Sequence, residues 1–185
     1  MITDIRLAGQ QLAAPRFDTP KKLVSWMGAI QAQDYAMARW AVGIRLKSAT
    51  ARSVGEAFSR GEILRTHVMR PTWHLVAAED IRWMLKLSAR RIRSANESLA
   101  KGRQLELTEQ LHYRCDRLLE KMLEGNRNLT KQQIGEELNR QGIAADTPRL
   151  TRLLMRAETE AVVCSGPFSG GKQTYALLEE RVPPV

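Results

Sequence analysis

The chain has 185 residues, of which 43% are hydrophobic and 5% aromatic, enough for one ordinary domain or two small ones with real cores. Lys and Arg number 29 against 20 acids, so the net charge is +9 and the pI about 10.1. No apolar run approaches the ~20 residues of a membrane span, the N-terminus lacks a secretory layout, and two cysteines are too few for a zinc framework.

A soluble cytoplasmic protein is expected, with Cys115 and Cys164 as buried reduced thiols. The basic balance favours a polyanionic partner, nucleic acid before membrane surface. A basic protein with no such partner stays open as the plain alternative.

In chain order, "FDTPKKLVSWMGAIQ" begins a helix, with Thr19 as N-cap and Pro20 at the first helical position. Leu23, Met27 and Ile30 recur at the spacing of one helix face. A second helix fits Tyr35 to Leu46, with Met37, Trp40, Ala41 and Ile44 inward. A third opens at "SVGE", where Ser53 and Glu56 form a capping box and Gly61 closes it. "EILRTHVM" and "TWHLVA" then read as strands joined by a turn around Pro71. Three helices and a hairpin make a winged helix, a helix-turn-helix with a β wing.

From Glu79 to about Leu123 the pattern is helical. Ile81, Met84, Leu85 and Ile92 face inward in one segment, and Leu111, Cys115, Leu118 and Met122 in another. Gly102 sits between them and Gly125 ends the second. Thr130 and Gln133 then cap "KQQIGEELNRQ", which stops at Gly142. "DTPRLTRLLMRAE" repeats the Thr-Pro start and carries Leu150, Leu153, Leu154 and Ala157 inward. "AVVCSGPF" and "TYALLEE" make a second hairpin around "SGGK". The expected fold class is mainly α with small β-hairpins, as tandem winged helix-turn-helix modules. The first module covers 1–78, connecting helices 79–125 and the second module 126–185. The tail "RVPPV" stops on prolines as a linker would, with more chain expected beyond it.

Arg149, Arg152 and Arg156 fall at i, i+3, i+7 opposite the leucines. In a winged helix that face enters the major groove, where Arg reaches phosphates or guanine edges; a solvated basic face is the equal alternative. Lys172 at the second hairpin tip suits a phosphate, and Arg65 and Arg70 in the first hairpin are further candidate DNA contacts. One or both of His67 and His74, alternating with apolar residues, are candidates to face solvent or DNA. No third ligand stands near them for a metal. "RWMLKLSARRIR" carries five basic side chains and no acid, more in keeping with a solvated face than a backbone track. The four tryptophans are read mostly as core. No phosphate-cradling glycine loop and no nucleophile elbow occurs.

Two amides, Gln31 and Gln33, remain. On a continuous helix they would point about 200° apart. If the first helix ends near Ile30 and the stretch is extended, both project to one side, where together they could hold a water. The alternative is that they cap helix ends or satisfy backbone groups.

"IQAQDYAMARWAVGIRL", "LRTHVMRPTWHLVAAEDIRWML", "LTKQQIGEELNRQGI" and "KQTYALLEERVP" resemble the AlkZ-like (YcaQ-like) family of winged-helix DNA glycosylases over nearly the whole chain. The resemblance implies tandem winged helices followed by a β-barrel, action on double-stranded DNA in the bacterial nucleoid, and excision of N-alkylated bases, including unhooking of interstrand crosslinks. It implies that Gln31 and Gln33 are the catalytic pair that positions the attacking water, with no metal or organic cofactor. Some relatives carry an acid at the second position; here Gln33 keeps the amide and Asp34 follows. The first hairpin has "RPT" where a glycine turn is expected. No sequence corresponds to the barrel, so an N-terminal portion is expected, and whether it turns over alone is not fixed by the sequence. The rival reading is a non-catalytic winged-helix regulator, in which Arg149, Arg152 and Arg156 set sequence preference and the glutamines are dispensable. A third is a protein-interaction scaffold with little salt dependence.

Overall fold

The computed structural model describes residues 1–182, with Ala51 described by its backbone alone. The last three residues of the proline-ended tail lie outside the described residues. The fold is mainly helical, with two small antiparallel three-stranded sheets. The chain divides into two compact units, residues 1–65 with 72–81, and residues 66–71 with 82–185.

In the first unit α1 (Ile2–Gly9) precedes α2 (Pro20–Met27), whose N-cap Thr19 accepts the Lys22 backbone N–H. Gly28 follows at φ 72°, a left-handed value that suits a residue without Cβ, and ends α2. The chain then becomes β1 (Ala29–Gln31), which places Ile30 in a strand rather than on the helix face expected for it. Next come α3 (Tyr35–Gly43), α4 (Ala51–Ser59), β2 (Ile63–His67) and β3 (Trp73–Ala77). Strand order is β1-β3-β2, with Ala29 opposite Val76, Ile30 opposite Leu75 and Gln31 opposite His74. Leu23, Val24, Val42, Phe58, Ile63, Leu64 and Leu75 are fully buried, and Tyr35 meets Phe58 edge-on at 5.2 Å.

Three sequence expectations change here. The capping box of α4 is Thr50 with Ser53, one turn earlier than Ser53 with Glu56, because Thr50 is the extended residue that can accept from the third helical N–H. Helix α3 is turned round: Ala38 and Val42 are buried, while Met37 and Trp40 are more than half exposed and Ile44 stands at 37%. Small residues face in because α3 packs closely against α2 and α4. Trp26, Trp40 and Trp83 are likewise more than half exposed, so most of the tryptophans are not core.

The second unit begins with α5 (Ile81–Gly102, entered from the first unit at Ile81), then α6 (Glu109–Leu123), β4 (Leu129–Thr130), α7 (Lys131–Arg140) and α8 (Thr147–Thr159). β5 (Val163–Ser165), β6 (Thr174–Leu177) and the short α9 (Leu178–Arg181) complete it, with strand order β4-β6-β5. Thr130 and Gln133 form the expected box on α7, and Asp146 rather than Thr147 caps α8. Leu119 takes the inward place expected of Leu118 on α6. Gly170 and Gly171, both at positive φ, turn the chain between β5 and β6. The order helix–strand–helix–helix–strand–strand, with the last strand central, therefore occurs twice: α2 to β3 and α6 to β6.

Both thiols are free and buried, and burial pushes each to about 12. Burial also lifts Asp116 on α6 to about 6, against the pull of Arg156 and with Glu160, Glu120 and Glu109 adding to the rise. The folded carboxyl thus holds its proton more tightly than the unfolded one. Its ionisation costs stability at neutral pH, and the cost disappears below the ordinary value of 3.8, where both states are protonated. Asp116→Asn is therefore expected to raise the Tm at neutral pH, the gain shrinking as pH falls through about 6; thermal melts of the two chains across that range check it.

Candidate functional site

The stretch Gly28–Asp34 owes its shape to two neighbours, the end of α2 and the strand β3. Once Gly28 stops the helix, Ala29–Gln31 pair with Trp73's strand and adopt its period of two. Ala32 continues the pairing by donating its N–H to the Trp73 carbonyl at 2.7 Å and is 1% exposed. Gln31 and Gln33 on either side of it are exposed. The extended backbone expected at this junction is thus present through Ala32, with an exposed amide on either side of a buried alanine. Asp34 then caps α3, its Oδ1 accepting the Met37 N–H at 3.0 Å. Helix capping consequently falls to Gly28 and Asp34, and neither glutamine is needed for it.

Gln33 does satisfy one backbone group: its Oε1 accepts the Trp73 N–H at 3.3 Å. An N–H can only donate, so this bond fixes which end of the amide is which and turns the Gln33 NH2 group away from Trp73. Gln31 stands directly opposite His74 across the ladder. The His74 ring is buried and its Nδ1 lies 2.8 Å from the Thr72 carbonyl, which makes Nδ1 the protonated nitrogen.

The basic residues expected to meet DNA separate into two groups. Arg70, in the turn between β2 and β3, and Lys172, beside the glycine pair between β5 and β6, are exposed. The others are turned inward. Arg65 donates from Nε to the Ala32 carbonyl at 2.9 Å and from Nη2 to the Gln33 carbonyl at 3.0 Å, with its Cζ 4.6 Å from the Trp73 ring. Arg156 is 9% exposed; both its Nη atoms bond the Glu109 carboxylate, at 3.1 and 2.9 Å, and its Nε bonds Glu160 at 2.8 Å. Arg149 donates to the Glu106 carbonyl at 3.0 Å, and the Arg152 guanidinium is half-buried, its pKa held below the ordinary value by burial.

These arrangements correct the expectation of a groove-reading arginine face. In a basic chain with carboxylates on α6 and at the end of α8, a buried guanidinium gains more from bidentate pairing than from solvent, and α5 and α6 pack over the side of α8 that carries it. The histidines are corrected as well. His67, 5% exposed, has Nδ1 2.7 Å from the Glu158 carboxylate in the second unit, so neither histidine faces solvent. Among the described residues no three His, Cys, Asp or Glu side chains converge as a metal site would require, and no helix is long and apolar enough to cross a membrane.

One strand-to-helix junction thus displays a pair of amides, on a basic, mainly helical scaffold with a repeated α–β–α–α–β–β order. The family model described as DNA glycosylase AlkZ-like matches residues 24–185, and the chain belongs to that family. Among solved structures it is similar to the Streptomyces sahachiroi DNA glycosylase AlkZ, with a TM-score of 0.77 and 22% identity. The match covers 96% of this chain and 48% of that one, so the chain spans about half the length of that relative. At this identity the likeness establishes a shared fold. A search of curated proteins found no match.

The carboxylate grip on Arg156 makes a structural prediction. Arg156→Ala is expected to lower the unfolding free energy by about 2 kcal/mol, through lost packing and unpaired carboxylates, and to leave duplex-DNA affinity within about twofold. Denaturant melts and a binding titration measure the two effects separately.

Proposed function

We propose that the chain is the DNA-binding and water-positioning portion of a DNA N-glycosylase that excises N-alkylated bases from duplex DNA, interstrand crosslinks among its substrates. In this reading each α–β–α–α–β–β repeat is a winged helix. The first module runs over 1–78, and the second, expected over 126–185, takes α6 (Glu109–Leu123) as its first helix. The observation that carries the proposal is the alternation at β1's exit: Gln31 outward, Ala32 buried, Gln33 outward.

The chemistry asks little of such a site. An N-alkylated purine is cationic, so the glycosidic bond breaks with the base leaving as a neutral molecule, and no strong acid is needed to assist it. Positive charge grows on the sugar, and a water held against the anomeric carbon completes the substitution. Its proton passes to solvent after attack, since an amide has no useful basicity. Two amides can hold that water by donor and acceptor contacts together, Gln33 through its NH2 group and Gln31 through its oxygen, which also favours the developing charge on the sugar.

Exposed Arg70 and Lys172, each at a hairpin tip, are the proposed phosphate contacts. Arg149, Arg152 and Arg156 were the ground for a sequence-reading regulator, and the engagement of the Arg149 and Arg156 side chains with the Glu106 carbonyl and the Glu109 carboxylate weighs against it.

The test is release of 7-methylguanine from alkylated duplex DNA by this chain and by its Gln31→Ala/Gln33→Ala variant. The expected result is release by the parent and a loss of at least about 100-fold in the variant, with DNA affinity held within about twofold. Equal release by both would overturn the assignment of the amides. Absence of release from both, with tight and steeply salt-dependent binding, would reduce the chain to a DNA-binding portion.

A further inference from the structure

One planar side chain grips both peptide carbonyls that follow Gln31. In a regular strand, successive carbonyls point to opposite edges. The Ala32 and Gln33 carbonyls nevertheless both reach Arg65, at 2.9 and 3.0 Å. The chain must therefore change course between these two residues, leaving the ladder so that Asp34 can open α3. A guanidinium offers its N–H groups in a fixed fork and suits two acceptors held side by side, which an ammonium on a flexible stem does not.

Trp73 closes the arrangement. The Arg65 guanidinium lies over its ring with Cζ 4.6 Å from the centroid, its N–H holds Gln33 Oε1 at 3.3 Å, and its carbonyl receives the Ala32 N–H at 2.7 Å. A cation over an indole contributes about 1 kcal/mol where it is partly desolvated, enough to favour one orientation of the fork. Backbone and amide of residue 33 are thus fixed from the same side by two residues of β2 and β3.

We propose that Arg65 is a positioning residue for the amide pair, acting through the backbone of Ala32 and Gln33 rather than by touching DNA. The proposal rests on the reading that Gln31 and Gln33 hold the attacking water. Arg65 sets where Gln33 stands relative to Gln31. Losing the fork lets residue 33 drift, and a displacement of the order of 1 Å is enough to cost about 100-fold in a positioned reaction.

The experiment compares the parent chain with Arg65→Lys and Arg65→Ala in two measurements, single-turnover base release at saturating alkylated duplex and equilibrium DNA binding. For a positioning residue, Arg65→Lys lowers the saturated rate by at least about tenfold while the DNA Kd stays within about twofold. A rate kept by Arg65→Lys, with binding weakened in Arg65→Ala, identifies a phosphate contact and overturns the proposal. If the glutamine reading itself fails, base release survives Gln31→Ala/Gln33→Ala, a result independent of either Arg65 variant.

A second readout needs no turnover: the 15N spectrum of the chain. The Arg65 Nε–H signal is expected to exchange slowly and to keep its position as undamaged duplex is added, and Arg65→Lys is expected to shift the Ala32 and Gln33 backbone amides. An Nε–H signal that moves with DNA, or Ala32 and Gln33 amides indifferent to Arg65→Lys, overturns the proposal.

Discussion

The short antiparallel pairing between Ala29–Gln31 and His74–Val76 governs the rest of the first unit's chemistry. It spans only three residue pairs, yet it imposes a strand period on a segment that a helix would otherwise have continued through. Gly28 makes the transition possible at φ 72°, and the fully buried Leu75 and Val76 hold the partner strand in place. Ala32 follows as the last inward residue, small enough to lie under the crossing chain. The outward place of Gln31 follows from that parity, whereas Gln33, beyond the strand, is held by its bonds to Arg65 and Trp73.

The charge of the protein is spent less on its surface than the composition implies. Arg156, Arg82, Arg93 and Arg149 are each tied to a carboxylate or a backbone carbonyl within the second unit. In the first unit Arg65 is tied to two carbonyls and Arg45 to one. An arginine that ties elements together needs the same guanidinium fork as one that grips phosphate. Counting basic residues therefore overstates the area open to a polyanion.

Much of the fold was legible because its punctuation is local. Thr19-Pro20, Thr130 with Gln133, Gly61, Gly142 and the Gly170-Gly171 pair are where they should be, since each is a property of one turn. Element faces were less legible. Met37, Trp40 and Ile44 have the spacing of a buried stripe, but the partners of α3 leave room only for Ala38 and Val42, and no single helix announces how near its neighbours come. The same limit applies to the site. Two amides flanking a small residue could be read, conditional on an extended backbone. That Arg65 and Trp73 reach across from the hairpin to hold them could not be read, because sequence separations of more than 30 residues carry no periodic signal. The Asp34 cap went unread although its signal is local, an Asp just before a helical pattern.

The two repeats differ at one junction. Between β1 and α3 stand Ala32, Gln33 and Asp34, whereas β4 ends at Thr130 and α7 begins at Lys131 with nothing between. In the second repeat the final strand residue must itself cap the helix, and its Oγ1 is used up accepting the Gln133 N–H. Three added residues are what separate a hinge from a ledge. The repeated order therefore carries two copies of one scaffold, but a three-residue ledge follows the first strand in one copy and not in the other.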